Sequence, residues 1–214
     1  MRFDKETVMK KLILLPLCAL FLCFSGCGEK QHGDALDTYL AVIDSLKSGR
    51  VTMTTSAADN TAVIFFRPSQ NGETSEIYTE IGDYITYFDG EGYYAGLKGE
   101  PLVSTEQEME PSVMLRYLIG GPAYATDADS YKPDESGIYR TAGGYRLVIV
   151  TRGEGESDAL GTTLTATLSA EMMPKKVEIV DRIDNGKLGT ETRTVTLVFD
   201  RIGEDILFEI PEKA

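Results

Sequence analysis

Thr162-Thr163-Leu164-Thr165-Ala166-Thr167-Leu168-Ser169 alternates with a period of two, with Leu164, Ala166 and Leu168 on one side of an extended chain and the threonines on the other. Thr194-Val195-Thr196-Leu197-Val198-Phe199 repeats the pattern, opposing Val195, Leu197 and Phe199 to Thr194 and Thr196. Such alternation belongs to an antiparallel sheet with one covered face and one wet face. A parallel sheet buried on both sides would read as an unbroken apolar run.

Working outward, the same period predicts strands over 51–56, 61–67, 74–81, 84–88 and 93–97, then over 137–141, 145–152, 162–169, 175–182 and 190–199, with a short terminal piece over 205–210. Asp59-Asn60, Asn71-Gly72, Gly82-Asp83, Asp89-Gly90, Gly143-Gly144 and Asp184-Asn185-Gly186 are hairpin turns between them. Turns so short join antiparallel neighbours, so each half reads as a meander. A sheet of about ten strands tends to curl.

Two segments carry a helical period instead. Asp34 caps a helix of about four turns with Leu36, Tyr39, Leu40, Ile43 and Leu46 on one stripe, and Gly49 stands where a left-handed stop is expected. Within 106–119, Met109, Val113, Met114, Tyr117 and Leu118 share a face; Pro111 is tolerable only in a first turn, which puts the start near Glu110, and Gly120-Gly121-Pro122 ends the helix. The fold class is therefore α+β. Two such helices bury roughly ten large side chains while the strands offer about twice as many, so either the sheet closes tightly on itself or space remains for a ligand.

The first 26 residues read as an export signal, not as part of the fold. Met9-Lys10-Lys11 supplies the positive start, residues 12–24 form an apolar run of 13, and Ser25-Gly26 are the small residues before cleavage. That run is too short for a comfortable permanent span of roughly 30 Å of hydrocarbon. Phe24-Ser25-Gly26-Cys27 resembles the lipobox of bacterial lipoproteins, which implies acylation of Cys27. Cys18 and Cys23 then leave with the signal, so the three cysteines supply no disulfide, redox pair or zinc cage. Residues 27–33 form a tether and 34–214 a single domain.

Charge and composition narrow the function further. The chain carries a formal net charge of −13, with 42% hydrophobic and 26% charged residues. The signal holds four basic residues against two acidic ones, so its removal makes the remainder more negative still. Such a surface repels nucleic acid and anionic head groups, leaving the acyl chains at Cys27 to hold the membrane. Catalysis has little to draw on: His32, the only histidine, lies in the tether, and no nucleophile-elbow pattern is present. Asp127-Ala128-Asp129-Ser130-Tyr131 begins like a calcium loop, but Tyr131 and Lys132 stand where an oxygen ligand and a glycine are required. Glu154, Glu156 and Asp158 solvate a glycine-rich loop. No enzyme, metal or cofactor is expected. Tyr78, Tyr84, Tyr87, Tyr93 and Tyr94 suggest an aromatic stacking platform or ordinary cross-strand packing; pleating sends neighbours to opposite faces, which favours packing.

The order of lipobox, tether, helix, meander broken by a helix, and further strands ending in Val195-Thr196-Leu197-Val198-Phe199-Asp200-Arg201-Ile202-Gly203 and Ile210-Pro211 resembles the LolA/LolB and LppX/LprG type of envelope lipoprotein. That resemblance implies an open half-barrel of about ten or eleven strands, helices over its concave side, and a lipid or acylated molecule held within. It also implies that Met114, Tyr117 and Leu118 face the cavity. The rest of the expected lining is Ile64, Phe66, Ile77, Ile85, Tyr87, Leu147, Ile149, Leu164 and Leu197. The expected function is a membrane-anchored, extracytoplasmic lipid or acyl-chain binder. Its rival is a non-enzymatic structural or protein-interaction lipoprotein with a solidly packed core and an unspecified protein partner.

Overall fold

The computed structural model describes residues 30–31, 33–69, 72, 75–106, 110–126, 129–153, 159–184, 186, 189–210 and 212–214. The expected signal, Cys27, His32, Met109, Asp127, Ala128 and the acidic loop at 154–158 lie outside them. The chain runs β1 (Lys30–Gln31), α1 (Ala35–Asp44), β2 (Gly49–Thr55), β3 (Ala58–Pro68), β4 (Ser75–Ile81), β5 (Tyr84–Phe88), β6 (Tyr93–Leu97) and β7 (Val103–Thr105). It continues through α2 (Pro111–Gly120), a 3-10 turn (Gly121–Ala125), β8 (Gly137–Thr141), β9 (Gly144–Arg152), β10 (Ala159–Leu168), β11 (Pro174–Asp184) and β12 (Thr190–Asp200).

Twelve strands form one open, curved sheet in the order β1-β8-β9-β10-β11-β12-β2-β3-β4-β5-β6-β7, antiparallel throughout. Two meanders meet where β12 pairs with β2, from Val195↔Thr55 to Asp200↔Arg50. Register carries one apolar row across seven strands: Ile138, Leu147, Ala166, Val177, Leu197, Met53 and Ala62. This inner face packs against α1 through Tyr39, Val42 and Ile43 and against α2 through Leu115 and Ile119.

Both helices begin as expected, α2 also ends as expected, and α1 ends early. Asp34 Oδ1 accepts the Asp37 N–H at 3.0 Å, and Glu110 precedes Pro111 at the first turn of α2. α1 stops at Asp44, where the Ser45 hydroxyl donates to the Val42 carbonyl at 2.6 Å. Gly49 is therefore no helix stop. It opens β2, where an added Cβ would lie 2.3 Å from Ile202 Cδ1. Gly121, at φ 65°, ends the α-helical ladder of α2, and Pro122 restores a helical φ for the 3-10 turn.

Three further expectations are corrected. Residues 30–31, placed in the tether, form β1 and pair with Tyr139 and Ile138 of β8. Residues 205–210 join no strand; they cross the other, outer face of the sheet as a strap. As a result the sheet is not wet along its whole outer face, because the strap buries the outer side of β3 to β6.

Candidate functional site

Of the residues expected to line the concavity, Ile64, Phe66, Ile77, Leu147, Ile149, Leu164 and Leu197 share one inner-face cluster and are at most 2% exposed. The protein's own helices cover them. On α2 the buried residues are Leu115 and Ile119, while Met114 and Leu118 are half-buried and Tyr117 is 42% exposed. Beside the 3-10 turn, a space of about 10 Å³ lies between Ala123, Ile149 and Leu164. That is near the minimum for one water molecule.

Pleating places Ile85 and Tyr87 on the outer face instead. The register Tyr78↔Tyr87 puts both side chains opposite to Ile77 and Phe88. The five expected tyrosines divide accordingly: Tyr78, Tyr87 and Tyr94 face outward, Tyr84 and Tyr93 inward. Toward one end of the inner face, Ile81, Tyr84 and Leu97 are cross-strand neighbours and remain 42%, 48% and 49% exposed, beyond the reach of the helices.

Phe65, Tyr78, Tyr87 and Tyr94 form a cross-strand aromatic row on the outer face of β3 to β6. The strap lays Phe208 across it, with ring centroids 5.4 Å from Tyr78, 6.0 Å from Phe65 and 6.2 Å from Tyr87. Arg67 fastens the strap: its Nη1 donates to the Ile206 carbonyl at 3.0 Å and its guanidinium lies 4.3 Å from the Phe208 ring centre. Further along, Lys213 is hydrogen-bonded to Asp89, and Leu102 exchanges backbone hydrogen bonds with Glu212 and Ala214.

A cleft of about 580 Å³ remains between strap and sheet. Its floor is Phe65, Tyr78, Ile85 and Phe208, and its lip includes Leu207 and Ile210, which are 76% and 43% exposed. Glu80, Glu100, Glu209 and Glu212 stand around it and, among the described residues that line it, a single cation, Lys98, whose ammonium lies 2.6 Å from Glu80.

The titratable groups here are structural. Burial, then the charge and hydrogen bonding of Glu80, push the Tyr78 phenol up to about 12. Burial followed by the charges of Glu76 and Asp89 does the same for Tyr87. Neither phenol exchanges protons near neutral pH. Burial would raise the Asp89 carboxyl, but hydrogen bonds from Lys213 and from the Gly92 and Glu91 amides prevail and hold it at about 2. Among the described residues, no group of three His, Cys, Asp or Glu is placed to hold a metal ion.

The sequence reading missed the cleft. Its signal was the alternation Ile206, Phe208, Ile210 together with Tyr87-Phe88, adjacent residues that point to opposite, equally covered faces.

No protein-family profile matches the chain, and no curated protein does. Among solved structures, it is similar to MucB in the MucA/MucB complex of Pseudomonas aeruginosa, at 16% identity and TM-score 0.36, over 82% of this chain and 59% of that one. A crystal structure of MucB gives 14% identity and TM-score 0.37, over 82% and 59%. The LolA superfamily protein NE2245 of Nitrosomonas europaea gives 11% and 0.29, over 83% and 96%. The chain thus spans about three-fifths of the MucB chains it matches.

Proposed function

We propose that the chain is a membrane-tethered, non-catalytic binding lipoprotein of the cell envelope, with residues 1–26 as export signal, Cys27 as acylation site and residues 30–214 as one domain. Its sheet is a scaffold, and its partner protein docks in the cleft beneath the strap. One contrast carries this reading: the centre of the inner apolar face, from Ile64, Phe66 and Ile77 to Leu147, Ile149, Leu164 and Leu197, is packed down to 2% exposure or less beneath the protein's own helices, whereas the cleft keeps Leu207 and Ile210 in water over an aromatic floor. Exposed apolar side chains around a concave site are the usual mark of a binding surface.

Two measurements test it. Metabolic labelling with palmitate, followed by fractionation, should show label and membrane retention that Cys27→Ala abolishes. A photo-crosslinking amino acid placed at Leu207 in producing cells should give a discrete protein adduct, and one at Thr165, on the outer face of β10, should not. Failure of the first removes the anchor; failure of the second removes the cleft.

A second reading is favoured by the uncovered inner-face row Ile81, Tyr84 and Leu97. There a hydrocarbon chain would find apolar surface, gaining about 0.8 kcal/mol for each CH₂ removed from water. Carriage of a whole acyl chain under the helices would require α2 to lift from the sheet.

A further inference from the structure

We infer that the cleft beneath the strap receives an extended polypeptide segment that carries an apolar or aromatic anchor flanked by lysine or arginine. This rests on the reading of the cleft as the docking site and names the chemistry of what docks there.

Charge decides between occupants of similar shape. Four carboxylates, on Glu80, Glu100, Glu209 and Glu212, meet one ammonium, on Lys98, and Lys98 is already bonded to Glu80. Glu100, Glu209 and Glu212 form no ion pair with the described residues and project from the rim. An acidic peptide, a fatty-acid carboxylate or an anionic phospholipid head group would be repelled at this rim, while a cation would be held by it. The net charge of −13 extends the same preference to longer range and favours rapid encounter with a basic partner.

Shape and backbone point to a polypeptide. The strap over 205–210 belongs to no strand, so its backbone stands outside the sheet ladder and is open to a second, extended segment. The aromatic floor suits one apolar side chain seated among Phe65, Tyr78 and Phe208, with basic neighbours reaching Glu100 on one side and Glu209 and Glu212 on the other. Volume agrees, since about 580 Å³ is in the range of sites that hold a compact ligand of a few side chains.

The test uses the full-length protein in phosphatidylcholine nanodiscs and two capped hexapeptides. One is Lys-Lys-Leu-Phe-Lys-Lys with a photoreactive leucine, and the other replaces each lysine by glutamate. The lysine peptide should bind saturably, more weakly as salt rises, and cross-link to the segments holding Phe65 and 207–210. The triple variant E100Q/E209Q/E212Q should bind it about five- to tenfold more weakly, as expected for three exposed charges. Glu178→Gln, on β11 away from the cleft, should change nothing. Cross-linking of both peptides at the cleft with equal affinity would overturn the charge inference and leave the docking site standing. Cross-links scattered over the surface, or none, would overturn both.

Discussion

Arg67 sends two N–H donors to one oxygen of Glu76, at 2.7 and 2.9 Å, across the β3–β4 pair on the outer face of the sheet. Glu76 is only 4% exposed, so the pair sits under the strap that Arg67 also holds through Ile206 and Phe208. Removing the carboxylate leaves a guanidinium poorly matched and loosens everything above it. Glu76→Ala should cost about 3 kcal/mol in denaturant unfolding. It should also raise hydrogen exchange over 205–214 before the rest of the sheet opens.

Acid should release the strap from its far end. Asp89 is held at about 2 against roughly 3.9 in an unfolded chain, so its contribution to stability is complete above that higher value. As pH falls from about 4 to about 2, that contribution disappears. Asp89→Asn should lower Tm at pH 7, and the gap between variant and wild type should close toward pH 2. A constant gap across this window would contradict the assignment.

The cover over the inner face is fastened at three points. The buried Tyr39 hydroxyl donates to the Gly120 carbonyl at 3.1 Å, and Asp44 accepts from Tyr124 at 2.7 Å and from Arg116 at 2.9 Å. Tyr39→Phe should cost about 1 to 2 kcal/mol, because the change strands a buried carbonyl. Asp44→Asn should act locally, raising hydrogen exchange in 111–125 with a smaller effect on global unfolding.

Much of this architecture could be read from residue order. Strands 84–88, 93–97 and 137–141 agree end for end with β5, β6 and β8, since each is bounded by a tight turn or glycine. Leu164, Ala166 and Leu168 are buried as their alternation requires. The candidate site was not legible, for a physical reason. Periodicity assigns relative faces within a strand but not which face meets the core, and at the Tyr87-Phe88 end of β5 both faces are covered. Ile85 and Tyr87 were therefore assigned inward with Ile77, although register places them outward. The strap was equally hidden: Ile206 and Phe208 alternate like strand residues, yet neither joins a ladder, and Phe208 packs against an aromatic row.

Gly144 offers a sharp check on the β8–β9 hairpin. At φ 141°, an added Cβ would lie 2.2 Å from the Leu168 carbonyl oxygen of β10, and backbone cannot yield as a side chain can. Gly144→Ala should cost about 3 kcal/mol or more. Its neighbour Gly143 has nothing within 4 Å of an added Cβ, and Gly143→Ala should be nearly neutral.

On the proposed reading, α1 and α2, not a cargo, fill the concavity of the sheet. Native mass spectrometry of the protein purified from its producing cells, combined with displacement of a fluorescent fatty acid, tests this most directly. The account predicts the mass of the chain with its own anchor alone and no saturable displacement. A stoichiometric noncovalent lipid, lost when Ile149→Trp or Leu164→Trp blocks the interior, would contradict it.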